Sequence, residues 1–165
     1  MTMSVPAAEY ARLLQLRDTA QREWQHLEQT TARLFAQPFS AVELKARCDD
    51  IDFAERLDAF VARFGRLQDL LGDKFLPAWL RAMQETPASA MENLDRAEKL
   101  GLVRSADEWA ALRKLRNRMV HEYLWKYDEL HGVLCAARDG VPALAFATGR
   151  LCQRVSGLRP ASHPQ

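Results

Sequence analysis

Between residues 53 and 71 the chain places Phe53, Leu57, Phe60, Phe64, Leu67 and Leu71 at steps of 4, 3, 4, 3 and 4. That alternation puts six large apolar side chains on one stripe of an α-helix. Burying each is worth about 1.5–3 kcal/mol, so the stripe demands a partner surface, either other helices or a second subunit. A strand would split the same residues between two faces. The segment therefore commits the chain to helix-on-helix packing.

The rest of the sequence agrees. Tyr10, Leu13, Ala20, Trp24, Leu27 and Leu34 mark a long amphipathic helix from Ala7 to about Ala36, closed by Pro38, with a short helix at 41–48. Gly65 and Gly72 permit close helix approach, Gly72 is a candidate kink, and Pro77 kinks or restarts a helix running towards Gln84. Thr86–Pro87 reads as a helix start and Gly101 as its stop. Ser105 and Glu108 match a capping box opening a helix that turns Trp109, Leu112, Leu115 and Met119 inward. Two more helices are expected at 126–137 and 142–155, with Gly140 and Gly157 flanking the second, and residues 158–165 as a frayed tail. The expected architecture is all-α, an up-and-down bundle of about five to seven helices. Residues 1–40 form an N-terminal helical extension, 41–157 the bundle and 158–165 a flexible tail.

The 165 residues are 48% hydrophobic and 27% charged, with a net charge of +1. That is ordinary for a globular domain, and any case for nucleic-acid binding must rest on local patches. Cys48, Cys135 and Cys152 are odd in number and widely spaced, which fits reduced thiols better than a disulfide framework. No signal peptide and no apolar stretch of membrane-spanning length is evident, so a cytoplasmic protein with no membrane association is expected. His121-Glu122 is not a zinc-protease motif, because the second histidine position holds Trp125. His26, His131 and His163 form no ligand pattern with the cysteines.

The chemistry concentrates in Arg116–Tyr123, RNRMVHEY. An arginine fork matches a phosphodiester, and a histidine moves protons near neutral pH. Arg113, Lys114, Arg116 and Arg118 crowd six residues almost free of acids, a face suited to RNA phosphates or simply to solvent. Helical geometry adds a constraint. Residues five apart differ in direction by about 140°, so Arg116 and His121 do not converge on one straight helix. Either the helix unwinds near Val120, or two copies of the segment meet across a two-fold axis. Asn117 and His121, four apart, share a row. Arg63, Arg66, Asp69 and Asp73 are expected as intrahelical ion pairs on a wet face, the alternative being support for Arg116 or His121 from a neighbouring helix. Trp125 and Tyr127 are packing residues or base-stacking ones.

The run LRNRMVHEY resembles the signature of the HEPN (higher eukaryote and prokaryote nucleotide-binding) family, R-x4-6-H, as Arg116-x4-His121 with an asparagine following the arginine. The fuller form R-x4-H-x-Y, similar to that of HepT-like toxins, is met by Arg116, His121 and Tyr123. The resemblance is close over the motif and looser over the helical layout from about 50 to 156. It implies a homodimeric, metal-independent ribonuclease toxin of a type II or type VII toxin–antitoxin pair, with no cofactor and a 2′,3′-cyclic phosphate product. His121 would then activate the ribose 2′-hydroxyl or protonate the leaving oxygen, and Arg116 would hold the scissile phosphate. Asn117 would orient the backbone or the histidine, and Arg113, Lys114 and Arg118 would bind RNA. The implied partner is a minimal nucleotidyltransferase (MNT) antitoxin that attaches AMP to Tyr123; otherwise Tyr123 is a half-buried aromatic. Two readings compete with this one: a non-catalytic HEPN adaptor for a nucleotidyltransferase, and a plain helical interaction protein.

Overall fold

A computed structural model describes residues 2–122 and 126–162. The chain is an all-α bundle: α1 (Ala7–Leu34), α2 (Ala41–Cys48), α3 (Ile51–Asp69), a π-helical turn (Leu70–Phe75), α4 (Leu76–Ala82), α5 (Ala90–Lys99), α6 (Ala106–Glu122) and α7 (Tyr127–Ser156). No helix among the described residues is long and apolar enough to cross a membrane.

The stripe of α3 forms the middle of the core, with Phe60, Phe64 and Leu67 wholly inaccessible. Its partners lie within the same chain. Helix α1 packs along α3 and α7 and sends Leu13, Leu16, Ala20, Leu27 and Leu34 into the interior. Phe60 meets Phe35 edge-on at 5.4 Å, and Phe53 meets Phe39 likewise at 5.4 Å, the arrangement favoured by ring quadrupoles. One continuous apolar cluster runs from Val5 to Val155. The first helix, expected as an extension of the bundle, is thus one wall of its core.

The helix ends show which local signals were decisive. Ser40 with Glu43 and Ser89 with Glu92 both close full capping boxes. The cap of α5 therefore lies three residues after Thr86, the expected cap, because Ser89 accepts from the Glu92 N–H and the Glu92 carboxylate accepts from the Ser89 N–H. Gly101, at φ 70°, ends it. The Gly101 N–H donates to the Glu98 carbonyl and the Leu102 N–H to the Ala97 carbonyl, a Schellman closure. Ser105 caps α6 by accepting from the Glu108 N–H at 3.2 Å. The Glu108 carboxylate does not complete that box; it is bound by Arg104.

One expected break is present and one is absent. Pro77 restarts the helix: it lies in the first turn of α4, where its missing N–H costs little, directly after the π-helical turn that ends α3. Pro142 lies inside α7 on its exposed side, so water can satisfy the carbonyl freed at Arg138. The helices expected at 126–137 and 142–155 are accordingly one. Gly140, read as a flank, is a crossing point: a Cβ there would sit 2.2 Å from Leu112 Cδ2 of α6.

The expected open tail is also ordered in part. Residues Leu158–Pro160 (β2) pair in parallel with Met3–Val5 (β1), Val5 opposite Pro160, and the Ala161 N–H donates to the Val5 carbonyl at 2.7 Å. Unpaired backbone beside the core gains ladder bonds this way, and the stretch was too short to show strand alternation.

All three cysteines are free thiols. Burial pushes the Cys152 thiol up to about 11. Burial, then the nearby Asp49 and Asp58 carboxylates, raises Cys48. Both are neutral near pH 7 and poor nucleophiles.

Candidate functional site

Helix α6 crosses α3 where both glycines of α3 and its π-helical turn face it. A Cβ at Gly65 would lie 3.3 Å from Arg116 Cγ and Nε, and one at Gly72 would lie 3.1 Å from Trp109 Nε1. These glycines are the approach points that let the α6 side chains lie flat on α3. Trp109, Leu112 and Met119 are buried, as the pattern of α6 predicts, and Leu115 is partly buried.

Two arginines of α6 take carboxylate partners from the opposite element. Arg116 Nη2 donates to Asp69 Oδ2 at 3.0 Å, and Arg113 Nη2 donates to Asp73 Oδ1 at 2.6 Å. The expected intrahelical pairing of these acids is therefore corrected. Arg66 reaches Glu23 of α1 at 3.4 Å, and Arg63 binds Thr30 Oγ1 and the His26 carbonyl. With neighbouring helices in reach, Asp69 and Asp73 bridge to α6, the reading the sequence made second choice.

Arg116 is consequently held on several sides. Its Nη1 donates to Asn117 Oδ1 at 3.1 Å, and its buried Nε has no hydrogen-bond partner among the described residues. Asn117, expected to orient the backbone or the histidine, spends its carbonyl oxygen on the arginine. About a third of the Arg116 side chain is exposed, at the edge of a groove of about 380 Å³ between α3 and α6. Asp58, Asp69 and Arg66 contribute polar edges, and Val61, Ala62, Met119 and Val120 contribute apolar ones. A guanidinium fixed this way can present its remaining N–H groups to an anionic oxygen without first losing side-chain freedom.

His121 is exposed and lies outside that groove. Helix α6 runs unbroken past Val120 to Glu122. The unwinding that would have brought Arg116 and His121 together in one chain does not occur among the described residues. Lys114, Asn117 and Arg118 are exposed, and Arg113 is half-buried. Tyr123 and Trp125 lie outside the described residues; Tyr127 opens α7 and is partly exposed. Asp69, which binds Arg116, was weighed from sequence only as the alternative to an intrahelical ion pair, and Gly65 only as a point of close helix approach. The available signal was the pair of glycines seven apart along a stripe beside two aspartates.

No known protein-family model matches the chain, and neither a curated protein nor a solved structure matches it.

Proposed function

We propose that the chain is a HEPN-type, metal-independent ribonuclease toxin that cleaves RNA in a cleft between two copies of itself. The observation that carries this reading is the setting of the motif on α6. Arg116 is positioned beside an open groove by Asp69 and Asn117, while His121 projects from an unbroken helix at the exposed end. One copy supplies a prepared phosphate ligand and a separate proton carrier; a second copy related by a two-fold axis supplies the complement of each. Val120, about half exposed in the groove lining, gives the two copies an apolar contact.

In the reaction, the imidazole of one His121 takes the proton of a ribose 2′-hydroxyl. The 2′-oxygen attacks phosphorus and the bond to the 5′-oxygen breaks, leaving a 2′,3′-cyclic phosphate. The leaving oxygen takes up a proton, from His121 or water. Arg116 offsets the charge that builds on the phosphoryl oxygens. Arg113, Lys114 and Arg118 contribute to RNA attraction. An MNT-type nucleotidyltransferase partner would silence the site by transferring AMP from ATP to the Tyr123 hydroxyl, with release of pyrophosphate. The added bulk and negative charge would repel RNA.

One observation favours a second reading, a non-catalytic adaptor for a nucleotidyltransferase: both terminal nitrogens of Arg116 already have partners. Cleavage of total RNA in the presence of EDTA separates the two. The toxin reading expects cleavage by wild type and its loss in Arg116→Ala and His121→Ala. Equal inactivity of all three proteins would leave the adaptor. Light scattering tests the cleft, since a strict monomer at micromolar concentration is incompatible with a shared site.

A further inference from the structure

We propose a second phosphate-binding site, formed by Arg33, Arg47 and Arg56 where the end of α1, α2 and the first half of α3 meet, and that its ligand is the backbone of a single-stranded RNA. The three side chains line one cavity of about 240 Å³ that has no carboxylate in its wall. Arg33 and Arg56 have no hydrogen bond or ion pair among the described residues. Arg47 is anchored without being neutralised: its two terminal nitrogens donate to the Gln37 and Pro38 carbonyls at 3.2 Å. Its guanidinium also lies 5.3 Å from the centre of the Phe39 ring. Neutral carbonyls and a ring face fix the geometry and leave the positive charge available.

Three uncompensated guanidiniums on one cavity exceed what a single carboxylate needs, and their forks suit the several oxygens of a phosphate. Arg33 and Arg56 also line a second cavity, of about 320 Å³, together with Arg63, so the arginines span adjoining cavities as a linear polyanion requires. Asp52 and Glu55 line this extension, and Asp50, whose carboxylate accepts from the Asp52 N–H, lines a neighbouring cavity with Arg47 and Arg56; none of the three acids forms an ion pair with Arg33, Arg47 or Arg56 among the described residues. Arg56 and Gly65 are nine residues apart, which at about 100° per residue puts them on opposite sides of α3. The arginine cluster is thus separate from the groove of Arg116. The choice of RNA as ligand rests on the ribonuclease reading; the charge and geometry do not.

The test uses full-length protein and a fluorescein-labelled, fully 2′-O-methylated single strand, which lacks the attacking hydroxyl and reports binding alone. Anisotropy is measured from 50 to 300 mM salt for wild type, Arg33→Ala/Arg56→Ala and Arg33→Lys/Arg56→Lys. Circular dichroism checks that all three are folded. Removing two phosphate contacts lowers the slope of log K against log salt by about 1.4 and weakens binding roughly tenfold or more; the lysine pair keeps most of the slope. Identical slopes for wild type and the alanine pair overturn the site, as does a wild type that binds neither the strand nor inorganic phosphate. Loss of binding to inorganic phosphate in the alanine pair, without RNA binding by wild type, overturns the assignment to a strand. Cleavage of unmodified RNA by the same proteins is scored separately. Cleavage that needs Arg116 beside unchanged binding slopes removes this site alone. Slopes that fall in a protein without cleavage remove the ribonuclease reading alone.

Discussion

The two halves of α6 differ in what they bury and what they expose. From Ser105 to Leu115 the helix is capped at its start, buries Trp109 and Leu112 and meets α7 so closely at Gly140 that no side chain fits between them. From Arg116 to His121 only Met119 is buried, while Asn117, Arg118, Val120 and His121 face outward. The first half answers to packing. The second carries polar groups outward from that packed base, the arrangement the proposed site needs.

The largest effects test this division directly. His121→Ala should lower RNA cleavage by roughly 10²–10⁴-fold, the usual worth of a positioned proton carrier, and shift unfolding free energy by no more than about 0.5 kcal/mol. Trp109→Ala should do the opposite kind of damage. It deletes a buried ring from the α3–α6 contact and should cost about 3–5 kcal/mol in urea unfolding. A stability loss of that size in His121→Ala would erase the distinction between the halves.

The glycines of α7 sharpen it further. Gly140→Val drives a side chain into Leu112 and should cost about 1–3 kcal/mol by overpacking. At Gly132, on the same helix, an added Cβ meets nothing within 4 Å. Gly132→Val should leave stability equal to or slightly above wild type, since glycine is the poorer helix former. Equal costs at both positions, read from thermal unfolding, would show that the crossing at Gly140 does not define the packed half.

These contrasts also mark what sequence could and could not say. The Phe/Leu stripe of α3, the inward residues of α6 and the stop at Gly101 were legible because periodicity and capping are local. The start of α5 carries two competing signals: Ser89 and Glu92 match the pattern of Ser105 and Glu108, while the proline after Thr86 imitates a start three residues earlier. Pro142 and Gly140 were misread because a break and a crossing point look alike without the neighbouring helix. Asp69 illustrates the harder limit. Its choice between Arg66 on its own helix and Arg116 across the groove depends on how α6 docks, which no local pattern encodes.

Asp69 also gives the smallest and most discriminating expectation. The Arg116–Asp69 pair is partly exposed on both sides, so its net worth to stability is about 0–1 kcal/mol. Asp69→Asn should therefore lower unfolding free energy by less than about 1 kcal/mol. It also removes a negative charge beside the proposed phosphate site, so RNA should bind as well as before or better. If Asp69 merely neutralises Arg116, turnover should rise with binding. If it aims the guanidinium, kcat should fall while KM falls or holds, because an interaction that matters only at the transition state is lost. Steady-state cleavage of a short labelled RNA by Asp69→Asn, with Asp73→Asn as the matching change at Arg113, distinguishes these outcomes. A fall in kcat confined to Asp69 would make the crossing of α3 and α6 part of the active site; equal, minor effects at both aspartates would return it to packing.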